Sequence, residues 1–100
     1  MTEYKLITCV MKEHMGTQII QKLKDEKKIV TANRSFARGN SVNYMLDIEM
    51  EILTVLVDSL DADEIFEYLY FECKFNEPHK GVIYQSSIGR GSCYNLEEKF

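Results

Sequence analysis

The chemistry most readily drawn from this 100-residue chain is the holding of a small anion. Ser35-Phe36-Ala37-Arg38-Gly39-Asn40 sets an arginine between small residues, where a guanidinium can reach a carboxylate or phosphate without crowding it. Gly89-Arg90-Gly91-Ser92 places a second cation between two glycines, and backbone amides in such a turn suit the same ligands. A third patch, Asn76-Glu77-Pro78-His79-Lys80-Gly81, carries Lys80 beside a glycine that lets another backbone come close. In an oligomer, Arg38, Lys80 and Arg90 could converge on one anion; taken singly, each patch reads as an ordinary turn.

Other chemistry finds less support. No G-x-S-x-G nucleophile elbow occurs. His14 and His79 are far apart in sequence, and His14 beside Glu13 reads as a solvated loop histidine. Glu49 and Glu51 lie two residues apart on one strand face, a spacing that allows acid/base work or a hard cation. On a strand with apolar alternation, however, they read first as its solvent side.

The elements that must position these groups follow from the apolar periodicity. Tyr4 to Met11 reads as a strand whose two alternating sets are both largely apolar. Thr17 to Lys27 reads as a helix with Thr17 as a possible N-cap, an apolar stripe of Ile19, Ile20 and Leu23, and lysines toward its C-terminus. Lys28 to Phe36 is predicted to be a second strand, followed by a polar segment in which Gly39, Asn40 and Ser41 form the turn. Asp47 to Asp58 is the third strand. A second helix runs from Asp61 to about Phe75, with Asp61 and Glu64 spaced as a capping box and Ile65, Leu69 and Cys73 as one stripe. Gly81 to Ser87 is the last strand.

The order β-α-β-β-α-β predicts an α+β, ferredoxin-like fold: one four-stranded antiparallel sheet with both helices on one face, in a single domain over residues 1–100. That fold leaves the second sheet face bare, yet the first strand is apolar on both sides. The simplest cover is another copy of the chain, so the sequence predicts a homo-oligomer.

Composition narrows the partners. A net charge of -4 argues against nucleic acid, whose phosphates are met by basic surfaces. The three cysteines, Cys9, Cys73 and Cys93, lack the spacing of a disulfide framework or zinc knuckle; Cys9 and Cys73 fall on apolar faces and read as reduced core residues. No signal peptide and no membrane-spanning run is seen, which makes the cytoplasm the expected location.

From Tyr4 to about Arg90 the chain resembles the PII superfamily of signalling proteins. The resemblance rests on the joint order of Tyr4-Lys5-Leu6-Ile7-Thr8, Lys12 with Ile19 and Leu23, Val30-Thr31 followed by Phe36-Ala37-Arg38, Glu51-Ile52-Leu53 and Gly81-Val82-Ile83-Tyr84. It implies a non-enzymatic homotrimer with no required cofactor. An adenine nucleotide (ATP, ADP or AMP) would sit as effector between subunits. The resemblance assigns ligand contacts to Ala37, Arg38, Gly81 and Arg90, with Thr31 as a weaker one, and it implies a membrane transporter or enzyme as the protein partner. The chain departs from the pattern in a short effector loop, about Arg38 to Leu46, and in Val82 where a lysine follows the glycine. It therefore resembles the shorter PII-like branch. A second reading is a ferredoxin-like trimer similar to the divalent-cation tolerance proteins, with Glu49, Glu51, His79 and Cys93 as the places for metal. A third, an acylphosphatase-type enzyme, needs an arginine that the loop Lys12-Glu13-His14-Met15-Gly16 lacks.

Overall fold

The computed structural model describes residues 3–41, 46–78 and 80–88. The elements run β1 (Tyr4–Met11), α1 (Gly16–Lys27), β2 (Ala32–Ser41), β3 (Leu46–Asp58), α2 (Ala62–Glu72) and β4 (Gly81–Ile88). The strands form one antiparallel sheet in the order β2-β3-β1-β4, and the predicted α+β, ferredoxin-like arrangement is the one observed. Among the described residues, no helix is long and apolar enough to cross a membrane.

The two-residue period of the strands decides which side chains meet the helices. Ile7, Cys9 and Met11 of β1 and Leu53, Val55 and Val57 of β3 are buried against Ile19 and Leu23 of α1, Ile65 and Leu69 of α2, and Cys73, which caps α2. Each fully buried Leu or Ile in this layer contributes roughly 1.5–3 kcal/mol of transfer free energy. The expected core cysteines are both buried and free. A hydrogen bond with Cys73, reinforced by burial, pushes the Cys9 thiol far above its ordinary value, so it stays protonated and unreactive.

The opposite sheet face carries the other phase: Leu6, Thr8 and Val10 of β1 lie beside Leu56, Thr54 and Ile52 of β3 and Ser86, Tyr84 and Val82 of β4. Val82 and Tyr84 are 59% and 52% exposed. Both helices pack on the other side, so no described element of the chain covers this apolar face.

Several boundaries differ from the sequence reading, each for a local reason. Helix α1 starts at Gly16, and Thr17 lies inside it; Met15 occupies the cap position without a side-chain cap hydrogen bond. Strand β2 does not begin at Lys28. That residue closes α1 in the left-handed region (φ 59°), and the Ile29 N–H still bonds the Leu23 carbonyl at 3.0 Å, so the ladder starts only at Ala32 opposite Val55. At its far end Gly39, Asn40 and Ser41 stay in the ladder opposite Ile48, Asp47 and Leu46. Cross-strand pairing outweighs their turn preference there. Arg38 is accordingly a strand residue rather than a loop residue. The capping box at Asp61 and Glu64 does not form. Asp61 has helical rather than extended backbone (φ -100°, ψ -4°), and Glu64 reaches Lys27 instead. Helix α2 stops at Glu72, short of Phe75, because Lys74 turns left-handed (φ 61°). The Lys74 and Phe75 N–H groups then bond the carbonyls of Phe71 and Tyr70, closing the helix in a Schellman pattern.

Candidate functional site

One row of the sheet, Gly81–Met11–Glu51–Phe36, organises the site, because Met11 pairs with both Gly81 and Glu51, and Glu51 pairs with Phe36. Ala37 and Arg38 follow on β2, opposite Met50 and Glu49, and Lys80 immediately precedes β4. These candidates therefore gather at one end of the sheet with the β1–α1 loop. Thr31 lies at the opposite end, its hydroxyl donating to the Leu56 carbonyl at 2.6 Å. Leu56 is five strand positions from Glu51, about 17 Å at ~3.4 Å per residue. Strand β4 ends at Ile88 opposite Tyr4, toward the Thr31 end. Within one chain, then, Thr31 is not brought to Arg38 and Lys80. Arg90 and its glycine-flanked patch, His79 and Cys93 lie outside the described residues.

Gly81 meets the expectation of a close backbone approach. Its φ is +144°, and an added Cβ would lie 2.0 Å from the Val10 carbonyl oxygen. Lys80 is not a free cation: its Nζ lies 2.5 Å from Glu13 Oε1 and 3.9 Å from Glu77 Oε1. The hydrogen bond from Lys80 holds the Glu13 carboxyl below its ordinary 4.5, and the same bond raises Lys80. The folded Glu13 binds its proton less readily than the unfolded one, so the pair's contribution is present above pH 4.5 and fades as pH falls through the depressed value. In a carbon-detected NMR titration, Glu13 is expected to titrate below its ordinary value and to move up in Lys80→Met. An unshifted midpoint in the unsubstituted protein would rule the pair out in solution.

The most constrained polar group is one that the sequence reading placed on the solvent side. Glu51 is fully buried (0% exposed). Its Oε1 accepts the Gly16 N–H at 2.6 Å, and its Oε2 accepts from Arg34 Nη1 at 3.0 Å. Helix α1 has no acidic residue in its first turn and no side-chain cap, so the sheet supplies the carboxylate its N-terminus lacks. Gly16 is required for this seat, since a Cβ there would fall 2.6–2.8 Å from the carboxylate atoms. Around this pair, Arg34 lies over the Phe36 ring at 5.3 Å, and His14 meets Phe36 edge-on at 5.1 Å. His14 Nε2 lies 3.8 Å from Glu49, an ion pair when the imidazole is protonated. The signal for Glu51 was present in the sequence: residues 51, 53, 55 and 57 share one strand phase, and Leu53, Val55 and Val57 are core.

This arrangement bears on the alternative chemistries. Helix N-termini hold phosphate through free N–H groups, but at α1 the Gly16 N–H is already bound by an internal carboxylate. Glu51 is likewise engaged by two donors. Among the described residues no group of three His, Cys, Asp or Glu side chains is disposed to hold a metal ion. A separate depression of about 200 Å³ lies where α1 runs into β2, lined by Lys28–Thr31, Leu56–Asp58 and Asp61. Among the described residues, Thr31 is the one predicted ligand residue in its wall.

Neither the protein-family models nor the curated protein sequences yield a match. Among solved structures, the ATP complex of B. subtilis GlnK superposes with a TM-score of 0.68 at 16% identity, covering 86% of this chain and 82% of that one. A second structure of B. subtilis GlnK gives 0.63 at 14% identity over 87% and 86%. The fold is thus that of a PII protein, as the order of strands and motifs had implied.

Proposed function

We propose that this protein is a PII-like regulatory protein of the cytoplasm, without catalytic activity. In this reading it works as a homotrimer, binds a small anionic effector in the clefts between subunits, and reports the bound state to a protein partner, a transporter or an enzyme. An adenine nucleotide is the first effector to test. The observation that carries the reading is the bare apolar sheet face of Leu6, Val10, Ile52, Leu56, Val82 and Tyr84, on a chain with the fold of GlnK. A single copy leaves this face in water, whereas a closed ring of copies buries it.

The division of the candidates between two sheet ends supports an inter-subunit site. Ala37, Arg38 and Gly81 of one subunit would meet Thr31 of another only across an interface. Lys80 would then have to leave Glu13 or hold both acids together. The end of the β2–β3 hairpin, based at Arg38 and Glu49, is the natural reporter, because an anion at its base changes the charge on its ladder.

The test joins light scattering to calorimetric titration with ATP, ADP and AMP. Scattering is expected to give three times the 11.7 kDa chain mass. At least one nucleotide is expected to bind, and Arg38→Ala is expected to weaken it about tenfold or more, the scale of one charge-assisted hydrogen bond. A monomer would sink the assembly; silence with all three nucleotides would sink the effector. Equal binding by Arg38→Ala would remove that residue from the site.

A further inference from the structure

Helices α1 and α2 leave a shallow groove of about 370 Å³ between them, on the side of the molecule away from the bare sheet face. Lys27, Glu64, Glu67, Tyr68, Phe71 and Glu72 line it. Its apolar element is out of place for a surface helix: Phe71 is 56% exposed, and its ring packs edge-on against Tyr70 at 5.2 Å rather than into the core. Burial, aided by a hydrogen bond to Glu26, raises the neighbouring Tyr68 hydroxyl to about 12.

The charges around the groove are uneven. Two lysines of α1 are already spent across it, Lys22 on Glu72 at 2.7 Å and Lys27 on Glu64 at 3.1 Å. Helix α2 carries Asp63, Glu64, Glu67 and Glu72 and no lysine or arginine. Glu67 is exposed, and among the described residues no cation pairs with it. An aromatic contact and an unpaired carboxylate thus stand four residues apart on one helix, about 6 Å at ~1.5 Å rise per residue.

We propose that this groove docks a basic amphipathic helix of a partner protein. An apolar side chain of the helix packs on the exposed ring of Phe71, since Lys27 Nζ already lies over the Tyr68 ring at 5.0 Å, and a lysine or arginine one turn away pairs with Glu67. Charge complementarity selects this occupant: with Glu64 and Glu72 paired to lysines, the carboxylate of Glu67 is the charge left over, which disfavours nucleic acid and anionic lipid, whereas a cationic helix with an apolar anchor matches both features. The groove lies on the helix layer, so it remains open when the sheet face is covered by further copies. The proposal is independent of the effector reading, and a failed nucleotide titration leaves it standing.

The test is fluorescence anisotropy on the full chain with two labelled peptides of the same amphipathic order, one of Leu and Lys and one of Leu and Glu. The Leu/Lys peptide is expected to bind and the Leu/Glu peptide to fail. Phe71→Ser and Glu67→Lys are each expected to weaken binding at least about tenfold, as for interface anchors. Glu3→Lys makes the same change in net charge at an exposed residue that does not line the groove, and is expected to leave affinity unchanged. An equal loss in Glu3→Lys would reduce the effect to general charge attraction and overturn the proposal, as would equal binding of the two peptides. If Phe71→Ser instead changes the mass seen by light scattering, the groove belongs to a contact between copies and the proposal fails.

Discussion

Glu51→Ala is expected to lower the free energy of unfolding by about 3 kcal/mol, as the carboxylate makes two charge-assisted hydrogen bonds worth ~1.5 kcal/mol or more each. The loss has three sources. The Gly16 N–H becomes a buried donor without a partner. Arg34 loses its anchor and keeps only its stacking on Phe36. Removing the side chain also leaves a void beneath the start of α1. Glu51→Gln should cost less, because its amide oxygen can still accept from Gly16 while its amide nitrogen faces Arg34.

The specific claim is that Gly16 and Glu51 act as one unit. Gly16→Ala drives a Cβ into the carboxylate and should be destabilising by itself. In the Glu51→Ala background the space is free, so the double variant should be no worse than Glu51→Ala. Urea unfolding of the four proteins, at one fixed protomer concentration, measures this coupling. Additive losses, or a loss under about 1 kcal/mol for Glu51→Ala, would contradict a buried carboxylate held by two donors.

Gly81→Ala is the second large expected effect. At φ +144° an L-residue is strained by roughly 1–3 kcal/mol before any contact is counted. The new Cβ would also press on the Val10 carbonyl oxygen at 2.0 Å, with Phe75 Cε1 at 3.0 Å on another side. The carbonyl belongs to β1, the strand central to the core, and cannot swing aside as a flexible side chain could. The start of β4 must lift away, opening the Met11–Gly81 and Val10–Val82 pairs. A total cost of about 3 kcal/mol corresponds to a fall in Tm of roughly 12–24 °C for a domain of this size. A Tm within a few degrees of the parent would mean that β4 starts elsewhere than at Gly81. Gly81 is also a proposed ligand residue, so the stability measurement should precede any binding assay on this variant.

Much of the architecture was legible because it rests on period and order. The doubly apolar β1, the stripes Ile19–Leu23 and Ile65–Leu69–Cys73, and the alternation of elements were enough for the ferredoxin-like sheet. Element ends were less legible. Whether Lys28 and Lys74 adopt left-handed backbone, and whether Gly39 to Ser41 turn or stay paired, depends on partners distant in sequence. The candidate anion-binding residues were legible only as residue types. Ala37, Arg38, Lys80 and Gly81 do gather at one sheet end, but of the acids that share that end with them, Glu49 and Glu51 are placed by strand register and Glu13 by the β1–α1 loop.

The sequence by itself determined the layers of this protein, because an apolar side chain's preference for the core needs no knowledge of its eventual neighbours. It also determined that one sheet face would be left wanting a cover. Only the tertiary structure decided the fate of each charge. Glu51 is buried on a helix N-terminus while Glu49, two residues earlier, is exposed, and Lys80 is bound to Glu13 rather than waiting for a ligand. The physical reason is that a charge is stabilised by specific partners at hydrogen-bond distance, and Glu51's two partners lie 35 and 17 residues away along the chain.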